Sequence, residues 1–259
     1  MPSDLSLLYD GTFEGFLTTV FQAAFLKITP HSIESSDRFT PNLLSNPLPI
    51  STDPEKAERV WSALVQRAGY SHASMVRGAF LSEIPGIEMQ IWHFQRKLFA
   101  DKSGTFCGNV LDEHVTTVLN TARKVQHEAH LHQGFVRFQV APDGMSYAMI
   151  EPTYNIVELL ASHFSARFPN MPWLIVDGKR LTGIHYDGNQ VQQIQLSEKP
   201  TGLAQSTSAN PGHTLSDNPY QDLWKSYYRA INIPERKNTK LMLRLMPRKY
   251  WKYLPERNA

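Results

Sequence analysis

The sequence contains a single cysteine, Cys107, among 259 residues. One thiol excludes an intrachain disulfide, and it excludes an iron–sulfur cluster held by this chain alone, because such clusters need several cysteine ligands. No apolar run approaches the roughly 18 residues of a membrane-spanning helix. The start of the chain also lacks the basic region of a signal peptide. We therefore predict a cytoplasmic protein with no membrane association.

Several motifs of cofactor and metal chemistry are also missing. The chain has neither the G-x-G-x-x-G fingerprint nor a phosphate loop ending in Gly-Lys-Ser/Thr, which argues against a dehydrogenase and against a nucleotide-driven motor. It lacks the G-x-S-x-G elbow as well. His127, His130 and His132 form the densest histidine cluster, but no carboxylate or thiol completes a familiar zinc spacing. We assign neither a metal nor a cofactor, and we interpret Cys107 as an inert thiol.

Charge is distributed unevenly along the chain, although the formal net charge is only +2. Residues 1–130 hold 11 basic and 14 acidic side chains, and residues 131–219 hold 5 and 7. Residues 220–259 hold 10 basic and 3 acidic side chains and are rich in tyrosine and tryptophan. Basic side chains neutralise phosphates, and aromatic rings stack on bases. This segment indicates nucleic-acid binding, unless its rings are core anchors and its charges are merely solvated.

Hydrophobic periodicity predicts an α+β fold, with a small, mainly antiparallel central sheet flanked by helices. Asp53 is the predicted cap of a helix that ends at Gly69, and Pro247 is predicted to end a basic helix. The other predicted helices cover 13–27, 71–82, 86–100, 110–131, 155–168 and 237–246. Strands are predicted at 5–9, near LPIST, in a hairpin of FVRFQVA and MSYAMIE, and near WLIVD, RLTGIHY and VQQIQL. Residues 197–219 have the composition of a flexible connection. We place a domain boundary between residues 106 and 107.

The hairpin suggests one candidate catalytic group. His130, Arg137 and Glu151 could form a polar site at one end of the sheet, where Arg137 would hold a phosphate and His130 or Glu151 would transfer protons. The alternative is a cross-strand salt bridge between Arg137 and Glu151, because a charged side chain on a covered face needs a partner. The sequence pattern alone does not select between these two interpretations.

Five blocks, in order, resemble a bacterial family of DNA metabolism proteins. The blocks are YDGTFEGFLT at 9–18, EAHLHQGFVRF at 128–138, IEPTYNIVELLASHFSARF at 150–168, DLWKSYYRAINIPERKN at 222–238 and MPRKYWKYLPE at 246–256. The family's C-terminal domain has no known function and also occurs fused behind uracil-DNA glycosylase-like domains. The resemblance matches His130, the Phe135–Phe138 run and Glu151-Pro152 in the central blocks. The later blocks match Arg167, Trp224, Tyr228, Arg236, Pro247, Lys249, Tyr250 and Trp251. This chain departs from the family at His132, where relatives tend to carry Met, and at Tyr154, where His is frequent.

The resemblance implies a role in DNA repair or modification, often beside a radical-SAM partner protein. We therefore expect a DNA-binding protein, with an enzyme acting on a damaged base as the first alternative. The second alternative is an interaction module that docks a repair enzyme through the basic segment. The predicted nucleic-acid-binding residues are Arg167, Arg236, Lys237, Lys240, Arg244, Arg248, Lys249, Tyr250 and Trp251.

Overall fold

The computed structural model describes residues 5–41, 46–102, 104–140, 144–197 and 239–254. The chain forms two compact units, Met1–Gln126 and His127–Ala259, called here the N-terminal and C-terminal units. The predicted boundary between residues 106 and 107 remains a prediction. None of the described helices is long and apolar enough to cross a membrane.

The N-terminal unit is built around a parallel sheet of three short strands. Strand β1 (Leu5–Tyr9) lies between β2 (Ser32–Ser35) and β3 (Asn46–Pro49). Parallel neighbours need a crossover connection, and α1 (Phe13–Phe25) supplies the one between β1 and β2. Helix α1 begins where Thr12 Oγ1 accepts the N–H of Gly15 at 2.9 Å.

Three further helices cover the rest of this unit. Asp53 caps α2 (Pro54–Phe80), and Gly69 interrupts that helix with a φ of 77°, so both predicted features are confirmed. Helix α3 (Ile87–Ala100), a 3-10 turn (Phe106–Gly108) and the start of α4 (Glu113–Phe135) follow. Apolar side chains from β1 and from all four helices form one core. Its most deeply buried members include Leu7, Phe16, Leu64, Ile91 and Phe94.

The C-terminal unit carries a five-stranded sheet in the order β4-β5-β6-β7-β8. Strands β5 and β6 are parallel, and the other three pairs are antiparallel. The strands are β4 (Gln139–Val140), β5 (Ser146–Ile150), β6 (Trp173–Asp177), β7 (Thr182–Tyr186) and β8 (Val191–Gln195). Helix α5 (Val157–Arg167) connects β5 to β6, and α6 (Thr239–Leu245) precedes a C-terminal 3-10 helix (Arg248–Tyr253). The predicted α+β class is therefore confirmed.

The first strand of the predicted hairpin is shorter than expected. Helix α4 continues through Gly134 to Phe135, and the Val136 N–H still donates to the His132 carbonyl at 3.0 Å. Among the described residues of this strand, pairing therefore covers Gln139–Val140. The prediction of a strand from Phe135 was wrong because Phe135 packs its ring as part of the helix end. Residues 141–143, between the two strands of the predicted hairpin, and nearly all of the predicted flexible connection lie outside the described residues.

Candidate functional site

The described C-terminal segment, residues 239–254, contains five basic side chains and no acidic one. Lys240 and Arg244 are one turn apart on α6, so they share a helix face, and both are exposed. Arg248 is also exposed and lies over the Trp251 ring, with 5.8 Å between the guanidinium carbon and the ring centre. Helix α6 ends at Leu245, two residues before Pro247, as predicted.

Aromatic and apolar side chains anchor this segment to the C-terminal unit. Tyr250 is 6% exposed, and Leu254 is fully buried. The Tyr250 ring lies 4.8 Å from the His132 ring and 5.4 Å from the Phe135 ring. Trp251 is half-buried, and its Nε1 donates to the Met246 carbonyl at 3.0 Å. These contacts hold the 3-10 helix and its basic side chains against the C-terminal unit.

A buried carboxylate, Glu128 on α4, joins the segment to the loop that follows β5. Its Oε1 accepts from the Tyr250 hydroxyl, from the Thr153 N–H at 3.0 Å and from Lys249 Nζ at 3.3 Å. Its Oε2 accepts from the Tyr154 N–H at 2.8 Å. Lys249 also donates to the Thr153 hydroxyl. Glu128 therefore accepts hydrogen bonds both from the basic segment and from the loop after β5.

The environment of Glu128 favours its ionised form. Burial by itself raises the pKa of this carboxyl, but the hydrogen bonds from Tyr250, Thr153 and Tyr154 outweigh burial and lower the pKa to about 2. Burial and the adjacent carboxylate raise the pKa of Tyr250, so its hydroxyl stays a donor. Burial also lowers the pKa of His132, whose Nδ1 donates to the Glu128 carbonyl at 2.8 Å.

An open cleft of about 400 Å³ lies beside this network, lined by Glu151, Pro152, Thr153 and Lys179. It is formed by the residues that follow the parallel strands β5 and β6. Lys252 Nζ lies 3.1 Å from Glu151 Oε1, so the basic segment borders the cleft as well. Burial, followed by the Glu151 carboxylate, raises the pKa of Tyr253.

A buried aspartate shapes the turn on one side of the cleft. Asp177 is fully buried at the end of β6, and its Oδ1 accepts the N–H groups of Lys179 and Arg180 at 2.8 and 3.2 Å. Its Oδ2 pairs with Arg180 Nη1 at 2.8 Å. Arg180 Nη2 also donates to the Thr153 carbonyl at 2.9 Å. This arrangement fixes the loops after β5 and β6 against each other.

The three candidate catalytic residues have different surroundings. Glu151 lines the cleft. Arg137 Nη1 donates to the carbonyls of Gly134 and Val136 at 2.6 and 3.2 Å. His130 is exposed on α4, and it is His132 that packs on Tyr250. A catalytic role for the three remains a prediction. Among the described residues, no group of three or more His, Cys, Asp or Glu side chains could hold a metal ion.

The predicted nucleic-acid-binding residues also separate into groups. Lys240, Arg244, Arg248 and Arg167 are exposed, whereas Arg236 and Lys237 lie outside the described residues. Lys249 is exposed but paired with Glu128, while Tyr250 is a buried anchor and Trp251 a half-buried one. Sequence reasoning missed several members of the site: Glu128, Thr153 and Lys179. Glu128 could have been noticed as a carboxylate next to Ala129, on the apolar side of α4.

These features define a two-unit α+β protein whose basic C-terminal segment is anchored beside an open polar cleft. The chain belongs to the family described as a domain of unknown function, DUF4130, whose sequence model matches residues 85–256, about two thirds of the chain. No curated protein matches the chain significantly. No solved structure does so either.

Proposed function

We propose that this protein binds DNA through the exposed basic side chains of its C-terminal segment and acts in DNA repair or modification. The observation that carries the proposal is the exposed face of Lys240 and Arg244, extended by Arg248, on a segment without acidic residues. Within the described part of the chain, Lys240 and Arg244 have no carboxylate partner. A phosphate can therefore bind them without first displacing an ion pair.

The basic segment is anchored to the fold, which favours a role in binding a polyanion over the alternative that its charges are merely solvated. Tyr250 and Leu254 are buried, so the cations of the same 3-10 helix, Arg248 and Lys252, are presented by a fixed surface. An ordered surface loses less conformational entropy on binding than a disordered arm does. Phosphate contacts of this kind position a protein on DNA but carry no sequence information. We therefore expect binding that depends little on DNA sequence.

The experiment compares two charge reversals in the full-length chain by fluorescence anisotropy with labelled duplex and single-stranded DNA. K240E/R244E removes the proposed contacts, and we expect its affinity to fall by roughly 10- to 100-fold. R123E/K124E is the matched control, because Arg123 and Lys124 are neighbouring exposed cations on α4 and the net charge changes equally. We expect the control to change affinity by less than about 2-fold. Equal losses in the two variants would show that net charge, and not this segment, governs binding.

The role in repair beside a radical-SAM protein is supported by the family resemblance. A specific observation favours the alternative of a docking module: Leu241 and Leu245 on α6 are 42% and 53% exposed. Co-purification with a radical-SAM protein that survives nuclease treatment and is lost in L241D/L245D would support docking. Loss of co-purification on nuclease treatment would instead show that DNA bridges the two proteins.

The alternative of an enzyme acting on a damaged or modified base is favoured by the position of Glu151 in the cleft. In that case Glu151→Gln should abolish turnover on damaged DNA while DNA affinity stays within about 3-fold. Unchanged turnover in this variant would remove Glu151 from the chemistry.

A further inference from the structure

We propose that the cleft beside the basic segment binds a single nucleotide, with its phosphate at Lys179 and a donor group of its base or sugar at Glu151. The proposal rests on the proposed DNA binding, which it extends from the strand to one nucleotide of that strand. The ligand class follows from the position of the cleft, from its two opposite charges and from its connection to the basic segment.

The cleft lies where parallel strands most often bind ligands. Strands β5 and β6 are parallel neighbours and end in register at Ile150 and Asp177. In open α/β sheets, ligands bind outside the carboxyl ends of parallel strands, where the strand order reverses; this small mixed sheet shares the parallel carboxyl ends but has no such reversal. Both loops that leave this edge, at 151–153 and at 178–180, contribute to the cleft wall or to the turn beside it. A volume of about 400 Å³ is within the range of small-ligand sites.

Glycine lets the two loops approach closely at this edge. A Cβ added to Gly178 would lie 3.1 Å from Met149 Sδ and 3.5 Å from Glu151 Oε1. The Gly178 N–H also donates to the Ile150 carbonyl at 2.9 Å. The turn therefore brings Lys179 to the same cleft as Glu151 with little freedom in the backbone.

Among the described basic residues around the cleft, Lys179 is the one that remains available to an anionic ligand. Its side chain is exposed and lines the cleft, and its ammonium group makes no hydrogen bond or ion pair with the described residues. The neighbouring basic side chains each have a carboxylate partner. These pairs are Arg180–Asp177, Lys249–Glu128 and Lys252–Glu151. A phosphate entering the cleft would therefore meet a free positive charge at Lys179.

Glu151 supplies a hydrogen-bond acceptor in the same cleft as Lys179. Its side chain is 30% exposed and pairs with Lys252 at 3.1 Å, and a carboxylate offers about four acceptor positions. It can accept from an amino, imino or hydroxyl group, but it repels a second anion. A ligand that carries both a phosphate and such a donor matches both charges, and a nucleotide is this kind of ligand.

The basic segment connects the cleft to the proposed DNA surface. Lys249 and Lys252 come from the 3-10 helix that also carries Arg248, and Lys249 donates to the cleft residue Thr153. A strand whose phosphates contact Arg248 and α6 is thus bound by the same segment of the chain that borders the cleft. This continuity favours a nucleotide of the bound strand over an unrelated phosphorylated metabolite.

The test measures binding of the four deoxynucleoside monophosphates, the matching deoxynucleosides and inorganic phosphate to the full-length chain by calorimetry. We expect at least one monophosphate to bind more tightly than both its nucleoside and inorganic phosphate. Lys179→Ala should weaken binding of the monophosphate about tenfold. Lys124 is an exposed lysine elsewhere in the chain, so Lys124→Ala should leave this affinity unchanged. Glu151→Gln should weaken binding of the monophosphate, but inorganic phosphate should bind at least as tightly as before, because the change removes a repelling charge and releases Lys252. Thermal melting confirms that each variant is folded.

Three outcomes would overturn the nucleotide site: no binding of any monophosphate, equal effects of K179A and K124A, or inorganic phosphate binding as tightly as the monophosphates. The K240E/R244E variant separates this proposal from DNA binding by the segment. It should lose affinity for DNA while keeping its affinity for the monophosphate. If the wild-type chain binds DNA through the segment but binds no monophosphate, only the cleft proposal fails. If it binds monophosphates but not DNA, the proposed function fails.

Discussion

The two units each contain a buried glutamate that binds a tyrosine hydroxyl and a basic side chain. In the N-terminal unit, Glu88 Oε1 accepts from the Tyr9 hydroxyl at 3.1 Å and from Arg38 Nη2 at 2.7 Å. In the C-terminal unit, Glu128 Oε1 accepts from Tyr250 and Lys249. The pattern of side chains is the same, but the parts of the chain that it joins are not.

The difference lies in what each carboxylate holds in place. Glu88 joins α3 to β1 and to the residues that follow β2, so it braces the inside of a helix-and-sheet core. Glu128 accepts two backbone N–H groups from the loop after β5 in addition to the contacts with the basic segment. It thereby fixes the cleft loop and the proposed DNA-binding segment together. The comparison teaches that one motif serves internal packing in one unit and placement of the basic segment in the other.

The largest expected effect is the loss of the Glu128 carboxylate. Glu128→Ala leaves two backbone N–H groups and one hydroxyl without their acceptor, so we expect the free energy of unfolding to fall by about 4 kcal/mol. Glu88→Ala removes fewer bonds and should cost about 2 to 3 kcal/mol. Urea denaturation followed by circular dichroism measures both. A larger loss for Glu88→Ala would reverse the comparison.

Acid should destabilise the protein through Glu128. The folded-state pKa of about 2 lies below the ordinary value of 4.5, so this carboxyl contributes stability that is complete above about pH 4.5. The contribution is lost as the pH falls from 4.5 toward 2 and amounts to about 3 kcal/mol. Unfolding measured between pH 6 and pH 2.5 should show this loss in the wild type and a shallower one in Glu128→Gln. If the wild type and Glu128→Gln lose the same amount of stability between pH 6 and pH 2.5, the hydrogen bonds assigned to the Glu128 carboxylate are contradicted.

Removal of the tyrosine hydroxyls should have smaller effects. Tyr9→Phe leaves Glu88 with Arg38 as its side-chain partner among the described residues, and Tyr250→Phe leaves Glu128 with Lys249 and two N–H donors. We therefore expect about 2 kcal/mol for Tyr9→Phe and about 1 kcal/mol for Tyr250→Phe. Thermal melting of both variants beside the wild type measures the difference. A greater loss for Tyr250→Phe would show that its hydroxyl, and not the loop N–H groups, holds Glu128.

The sequence predicted helix boundaries well where they depend on a residue at the boundary itself. Asp53 caps its helix and Gly69 interrupts it, because capping and positive φ depend on the residue itself. The alternating pattern of FVRFQVA predicted a strand from Phe135, which was wrong because Phe135 packs against His132 and Tyr250 at the end of α4. Tyr250 comes from more than a hundred residues further along the chain. Periodicity cannot report a partner that far away.

The candidate site was predicted only in part for the same reason. The basic segment is visible in the composition, and its exposed members Lys240 and Arg244 were identified. Lys249 was predicted to contact phosphate, yet it pairs with Glu128, which was not noticed because its partners lie in other blocks. Lys179 was missed as well, since a single exposed lysine has no distinguishing sequence pattern. Its significance comes only from the cleft beside it.

The central claim is that the exposed cations of the C-terminal segment neutralise DNA phosphates. Its most direct test is the slope of log affinity against log salt concentration for duplex DNA, in the wild type and in K240A/R244A. Each neutralised phosphate contributes about −0.9 to the slope. The account predicts about −2.7 or steeper for Lys240, Arg244 and Arg248 together, and a slope shallower by about 1.8 in the variant. An affinity that does not change with salt, or a variant slope equal to that of the wild type, would contradict it.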